Sequence, residues 1–158
     1  MTLTALEILE RCRRAEVERA RLREKCQTYR DIATHMGVRM DGIGSHGSSG
    51  QDRMAAIVGE IDAAERALKK RSDEYAAEVV VAGRLLEQLP VQERCVLRDF
   101  YLKHQPLKTV ASALGYSYGY VRSLKAAGRR RLGSVPAEAV EAMLPGWYVE
   151  AEREKRTR

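Results

Sequence analysis

The chain has 158 residues, of which 44% are hydrophobic, 6% aromatic and 32% charged, and its formal net charge is +6. This length fits one or two small domains, and many charges with few aromatic residues favour long exposed helices over a thick globular core. No stretch approaches the roughly 20 apolar residues of a membrane-spanning helix. Acidic residues near the N-terminus do not fit a secretory signal. We therefore expect no membrane association and a cytoplasmic location.

Side chains that bind metals or catalyse reactions are scattered along the chain. The three cysteines, Cys12, Cys26 and Cys95, are far apart and lack CxxC spacing, so they predict small buried residues rather than ligands. The three histidines show no metal-binding or catalytic spacing, and no nucleophile–base pair is visible. We expect no enzymatic activity, no catalytic residue, no metal site and no cofactor.

Two long helices are predicted in residues 1–89. Residues 3–36 and 53–88 each carry apolar positions that recur every seven residues, as in coiled coils. The seam residues are Ile8, Ala15, Leu22, Tyr29 and Met36 in the first segment and Met54, Ile61, Leu68, Tyr75, Ala82 and Leu89 in the second. The first helix is expected to stop at Gly37, and Asp52 to cap the second. Residues 41–51 contain four glycines and three serines and predict a flexible loop.

The two seams allow two arrangements. A loop of this length reverses the chain easily, so the seams can face each other in an antiparallel hairpin. Alternatively, they can pair between chains and form a homo-oligomeric coiled coil through the N-terminal helices. The periodicity favours neither arrangement over the other.

A small helical domain is predicted in residues 90–133. Leu89-Pro90 ends the preceding helix, and a third helix is expected from Pro90 to about Lys103. One apolar face of this helix is expected to pack on the two helices that follow it. The residues of that face are Val96, Leu97, Phe100 and Tyr101, and their expected partners are Val110, Leu114, Val121 and Leu124.

Residues 107–132 have the pattern of a helix-turn-helix. Gly115 follows the first short helix, where a left-handed backbone conformation is often needed. Ser117 is a favourable N-cap for the second helix. That helix carries one apolar stripe, which consists of Val121, Leu124, Gly128 and Leu132. This combination is typical of DNA-binding helix-turn-helix units.

Positive charge is concentrated in the same region. Residues 91–133 contain nine Lys and Arg residues against Glu93 and Asp99, as expected of a surface that neutralises phosphates. The candidates for reading base edges are Tyr118, Tyr120, Arg122, Ser123 and Lys125. The candidates for phosphate contacts are Lys108, Ser117, Arg129, Arg130 and Arg131. The predicted partner is therefore double-stranded DNA.

Residues 134–158 are predicted to form a short helix and a charged tail. Pro136 fits the first turn of a helix over residues 136–144. Trp147 is expected to seal this helix onto the domain, the alternative being a contact with another protein. The segment after it is highly charged and is expected to be a frayed tail.

Residues 89–132, LPVQERCVLRDFYLKHQPLKTVASALGYSYGYVRSLKAAGRRRL, resemble region four of the bacterial sigma factors. Together with the long helical first half, the chain resembles the sigma-like late transcription regulators of phages and prophages, the ArpU/RinA type. This resemblance implies an all-α fold with a long N-terminal helical hairpin or coiled coil and a C-terminal helix-turn-helix domain. It also implies a transcription regulator that binds DNA and contacts RNA polymerase.

Two other functions are consistent with the same pattern. A phage DNA-packaging recognition subunit also combines a helix-turn-helix with helical oligomerisation, although its DNA-binding unit generally comes first. A structural or adaptor coiled coil could use the C-terminal unit to bind protein. The concentration of positive charge and the two exposed tyrosines predicted on the second motif helix favour the DNA-binding regulator.

Overall fold

The structure is a computed structural model that describes the backbone of residues 3–42 and 48–158, with side chains for residues 3–37 and 50–158. Within these ranges every regular element is helical. The helices are α1 (Ala5–Gly42), α2 (Ser48–Leu86), α3 (Val91–Leu97), a π-helical turn (Arg98–Leu102), α4 (Leu107–Leu114), α5 (Tyr118–Gly133), α6 (Ala137–Met143) and α7 (Gly146–Thr157). A long α1–α2 hairpin precedes a compact domain of short helices, which confirms the expected fold class. None of the described helices has the length and apolarity needed to span a bilayer.

The ends of the two long helices differ from the sequence-based prediction. Helix α1 continues through Gly37, because one glycine costs a long helix only about 1 kcal/mol relative to alanine. Helix α2 begins at Ser48, so the start expected after Asp52 is wrong. The predicted loop at residues 41–51 is therefore too long at both ends, and its centre, residues 43–47, lies outside the described part of the chain.

Residues 17–73 form one compact unit, built from the adjoining parts of α1 and α2. Charged residues of one helix bind the other: Arg71 forms a 2.5 Å ion pair with Glu18, and Arg19 donates a 3.3 Å hydrogen bond to Ser72. Arg19 and Arg71 interrupt the apolar seams in the sequence, and these cross-helix partners explain how the hairpin accommodates them. The seams thus face each other within one chain.

The second unit consists of residues 1–16 and 74–158. Its larger apolar cluster joins the start of α1 and the end of α2 to α3, α5, α6 and α7. Its largest fully buried side chains are Tyr101, Tyr148, Leu3, Ile8, Leu9, Leu85, Leu97 and Leu132. A smaller cluster, made of Val96, Val110, Ala111 and Val121, lies beneath the helix-turn-helix.

The third helix bridges these two clusters. Val96 faces the smaller cluster, as expected, whereas Leu97 and Tyr101 belong to the larger one. These two residues do not join Val110 and Val121 in the smaller cluster as expected; Leu97 meets α5 at Gly128 instead, because this helix is covered on two sides. Its α-helical part ends at Leu97 and continues as the π-helical turn, closed by a hydrogen bond from the Lys103 amide to the Arg98 carbonyl.

The last two helices correct the prediction for the C-terminal segment. Helix α6 follows Pro136 as expected, but the segment expected to be a tail continues as α7 to Thr157. Trp147 does not seal the domain, since 49% of its surface is exposed. The neighbouring Tyr148, of which only 1% is exposed, fills that role.

A polar network fastens α7 to the hairpin. Arg11 donates hydrogen bonds to the hydroxyl of Tyr148 at 2.8 Å and to Glu152 at 2.9 Å. The Tyr148 hydroxyl donates in turn to the buried Glu78 at 2.7 Å. Lys155 reaches Glu152 at 2.9 Å. Two charges of the segment that was expected to be a tail, Glu152 and Lys155, therefore have partners on α1, on α2 and within α7.

We expect Gly128→Ala to destabilise the protein. A Cβ atom at this position would lie 2.7 Å from Cδ1 and 3.3 Å from Cγ of the fully buried Leu97. The resulting strain should cost about 1–3 kcal/mol and outweigh the better helix propensity of alanine. Denaturant unfolding measures the loss. Gly119→Ala is the control, because its Cβ would enter open space; it should be neutral or stabilising. A Gly128→Ala variant as stable as the parent protein would contradict this packing.

The Arg11–Glu152 ion pair should make stability depend on acid pH. The hydrogen bond from Arg11 overcomes the opposing effect of burial, and Lys155 adds to it, so the pKa of Glu152 falls to about 2 from an ordinary 4.5. A lowered pKa in the folded state stabilises the fold above the unfolded pKa, and this stabilisation disappears as the pH falls toward the folded pKa.

Glu152→Gln should therefore lower the free energy of unfolding at pH 7 by about 1–3 kcal/mol. The difference from the parent protein should shrink between about pH 5 and pH 2, as measured by denaturant titrations across that range. Asp73→Asn, which removes the exposed pair with Lys69, should leave stability nearly unchanged because solvent screens that pair. A Glu152→Gln effect that is constant with pH would contradict the assignment.

Candidate nucleic-acid interface

Helices α4 and α5 form the helix-turn-helix that the sequence predicts. Gly115 ends α4 in the left-handed conformation, with φ of 71°. The amide of Tyr116 donates to the carbonyl of Ala111 at 3.0 Å, which closes the end of α4. Ser117 caps α5, since its hydroxyl accepts a 3.2 Å hydrogen bond from the amide of Tyr120. The expected roles of Gly115 and Ser117 are both confirmed.

The smaller apolar cluster sets which face of α5 is exposed. Val121 is completely buried against Val96, Val110 and Ala111, and Leu124 packs at the edge of this cluster. The opposite side of α5 is therefore open to solvent. Its exposed residues at helical spacing are Gly119, Arg122, Ser123, Ala126 and Arg130, and Tyr118 lies exposed in the first turn.

Arg122 and its neighbours form an exposed polar group on this face. The guanidinium of Arg122 lies 5.8 Å from the centre of the Tyr118 ring, within the range of a cation–π interaction. The hydroxyl of Ser123 donates to the carbonyl of Gly119 at 3.1 Å and remains exposed. Three of the five predicted base-reading residues are thus adjacent on the open side of the helix.

Tyr120, a fourth base-reading candidate, has partners within the domain. Its hydroxyl donates a 2.8 Å hydrogen bond to Oε1 of Gln92 in α3. Its ring meets the Tyr116 ring edge-on, with 5.1 Å between the ring centres. Tyr120 therefore links the start of α5 to α3 and to the turn, although it is still partly exposed.

Lys125, the fifth candidate, lies against the π-helical turn. Its ammonium is 4.0 Å from the centre of the Phe100 ring. Burial lowers the pKa of Lys125, and the positive charge of Arg129 lowers it further. This side chain is directed toward the domain and away from the face that carries Ser123.

The predicted phosphate contacts divide into two groups. Arg129 forms a 2.9 Å ion pair with Glu10, and Arg131 forms a 3.1 Å ion pair with the buried Glu93. Arg130 and Lys108 are exposed, and neither forms an ion pair with another described residue. Ser117 is exposed but uses its hydroxyl as the helix cap.

A groove of about 520 Å³ runs along one side of α5. Its apolar residues are Leu6, Leu107, Ala126 and Gly133. Four predicted DNA-contacting side chains line it as well, namely Arg122, Lys125, Arg129 and Arg130. The structure thus brings these four cations together along one helix, next to the N-terminal turn of α1.

Sequence reasoning missed the partners of these side chains. Glu10 and Gln92 carry no signal that would connect them to α5, because each lies in another helix and many positions away. Glu93 belongs to the sigma-like stretch, but the sequence does not reveal its pairing with Arg131. Glu10 and Glu93 hold Arg129 and Arg131 and so reduce the number of cations free to bind a ligand, whereas Gln92 holds Tyr120.

A model of one protein family matches residues 85–133, which span α3, the π-helical turn, α4 and α5. The family is described as Sigma-70, region 4. No curated protein and no solved structure matches the chain. Residues 85–133 form a sigma region 4-like helix-turn-helix domain, a type that binds DNA in transcription regulation and is typically non-enzymatic.

The cap at Ser117 is expected to stabilise the start of α5. Ser117→Ala should lower the free energy of unfolding by about 1 kcal/mol, because the amide of Tyr120 loses its acceptor. Ser117→Asp is the matched control, since aspartate caps helices equally well and favours the helix N-terminus. Thermal or denaturant unfolding distinguishes them. Equal losses in both variants would show that the hydroxyl contributes through another contact.

Proposed function

We propose that this protein is a DNA-binding regulator of phage or prophage transcription, of the ArpU/RinA type. The observation that carries the proposal is the exposed Arg122 face of α5 within a sigma region 4-like helix-turn-helix. In such a motif the second helix enters the major groove and presents side chains of its N-terminal half to base edges. The long helical first half of the chain supports the phage assignment through the resemblance in architecture.

Arg122 is the principal base-reading residue in this proposal. Arginine can donate two parallel hydrogen bonds to N7 and O6 of guanine, and this is the commonest specific contact in the major groove. The ring of Tyr118 lies on one side of the guanidinium of Arg122 and limits its movement in that direction. Ser123 lies one position further on the same face and supplies a hydroxyl for a neighbouring base. Tyr120 and Lys125 would have to give up their contacts with Gln92 and Phe100 to read bases.

Lys108 and Arg130 are the proposed phosphate contacts. Both are exposed and carry charges that are not neutralised by a described neighbour. Lys108 belongs to the first turn of α4, and Arg130 lies two turns after Arg122 on α5. Contacts on both helices of the motif would fix its register on the duplex without reading sequence.

RNA polymerase is the proposed second partner, which rests on the resemblance to sigma region four. A homo-oligomer is part of the same hypothesis, because many DNA-binding motifs read two half-sites. The seams of the hairpin are occupied within the chain, so an oligomer would have to use other surfaces. Analytical ultracentrifugation with and without DNA would measure the stoichiometry.

Selection of binding fragments from the source genome, followed by fluorescence anisotropy, tests the proposal. The best fragment should bind at least about 1,000-fold more tightly than scrambled DNA, and the affinity should fall with salt. Arg122→Ala should cost about 1–3 kcal/mol on that fragment and relax the preference at one base pair.

Lys108→Gln provides the control for Arg122→Ala. It should weaken binding equally on all sequences and reduce the salt dependence. If Arg122→Ala behaves in the same way, Arg122 is a phosphate contact and not a reader. If the parent protein shows no salt-dependent DNA binding at all, the DNA-binding function is wrong.

A further inference from the structure

Two adjacent arginines of α5 have opposite surroundings. Nη1 of Arg129 lies 2.9 Å from Oε1 of Glu10 and also donates a hydrogen bond to the hydroxyl of Tyr101. Arg130, the next residue, is exposed and makes no ion pair within the described part of the chain. The basic run of the sequence gives no reason to treat them differently, since both were candidates for phosphate contact.

Arg129 and its two partners come from three different elements. Glu10 belongs to α1, Tyr101 to the π-helical turn and Arg129 to α5. The Tyr101 hydroxyl donates to Glu10 at 3.3 Å while it accepts from Arg129. Tyr101 is completely buried, so its ring is fixed by the core. The hydroxyl, the carboxylate and the guanidinium thus form a closed set of charge-assisted hydrogen bonds.

This set lies where it can orient the DNA-reading side of α5. Arg129 follows Arg122 by two helical turns, and both side chains line the same groove. One turn before Arg129, Lys125 contacts the ring of Phe100, the neighbour of Tyr101. Successive turns of α5 are therefore attached to the same side of the domain, which fixes the rotation of the helix about its own axis.

We infer that Arg129 is a positioning residue, which holds α5 through Glu10 and Tyr101 and does not bind phosphate. To bind phosphate, Arg129 would have to break its ion pair with Glu10 and its hydrogen bond with Tyr101. The role assigned to it here is to keep Arg122 at the correct angle for a base. This inference rests on the proposed function, because it assigns Arg129 a part in DNA recognition.

Five variants separate the two roles, namely Arg129→Gln, Arg129→Lys, Arg130→Gln, Glu10→Gln and the double variant Glu10→Gln/Arg129→Gln. Each is measured by anisotropy on the selected fragment and on scrambled DNA at several salt concentrations, well below its unfolding temperature. Arg130→Gln should reduce the slope of log K against log salt by about 0.9, because one phosphate contact is lost.

Arg129→Gln should leave the slope of log K against log salt unchanged. It should lower the ratio of specific to nonspecific affinity by about two- to tenfold, within the range for coupled contacts. Glu10→Gln should have the same effect, and the double variant should be no worse than either single one. Arg129→Lys should retain most of the ratio of specific to nonspecific affinity, since an ammonium can still pair with Glu10.

The opposite result overturns the inference. If Arg129 binds phosphate, Arg129→Gln flattens the salt slope as Arg130→Gln does, and Glu10→Gln tightens binding to all DNA because it frees a cation. If Arg129→Gln does not fold, the Glu10→Gln and Arg129→Lys variants give the same distinction.

A failure of the proposed function would be recognised separately. If the parent protein binds no DNA, thermal unfolding of the same variants still tests the contact. Non-additive losses of Tm in the double-mutant cycle support the link between Glu10 and Arg129, whereas additive losses or none overturn it.

Discussion

The close approach of α3 and α5 at Leu97 and Gly128 determines how the helix-turn-helix part of the chain is built. Only a residue without a side chain leaves room for the buried Leu97 at this crossing. The approach allows α3 to support the helix-turn-helix on one side with Val96 while Leu97 and Tyr101 join the larger core on the other. The small motif, which has too few apolar residues for a stable core of its own, is thereby attached to the ends of the hairpin.

The features that the sequence predicts well are those determined by neighbouring residues. Gly115 and Ser117 have the conformation and the hydrogen bond expected of them, because turn and cap preferences depend on a few adjacent positions. The heptad spacing likewise predicts two long paired helices. The roles of Trp147 and of the charged segment after it could not be predicted, because the partners of Tyr148 and Glu152 include residues of α1 and α2, far away in the sequence.

The dependence on residues far away in the sequence also explains why only part of the candidate interface could be predicted. Composition and helical spacing place a basic, exposed surface on α5, and the structure has one. They do not reveal that Arg129 pairs with Glu10, that Arg131 pairs with Glu93, or that Lys125 lies on Phe100. An arginine in a basic run can therefore either bind a ligand or pair with a carboxylate of the protein itself. The position of the nearest carboxylate in the fold decides which of the two it does.

The composition of the second unit has a consequence for synthesis of the chain. Leu3, Ile8 and Leu9 belong to the same core as Tyr148, although almost the whole chain separates them. The N-terminal segment emerges from the ribosome long before α7 has been synthesised. During translation this segment therefore lacks many of its apolar partners. Contacts between such distant residues also slow folding, because a long loop must close before they form. The unit that contains the helix-turn-helix should therefore complete its larger core only after α7 has been synthesised.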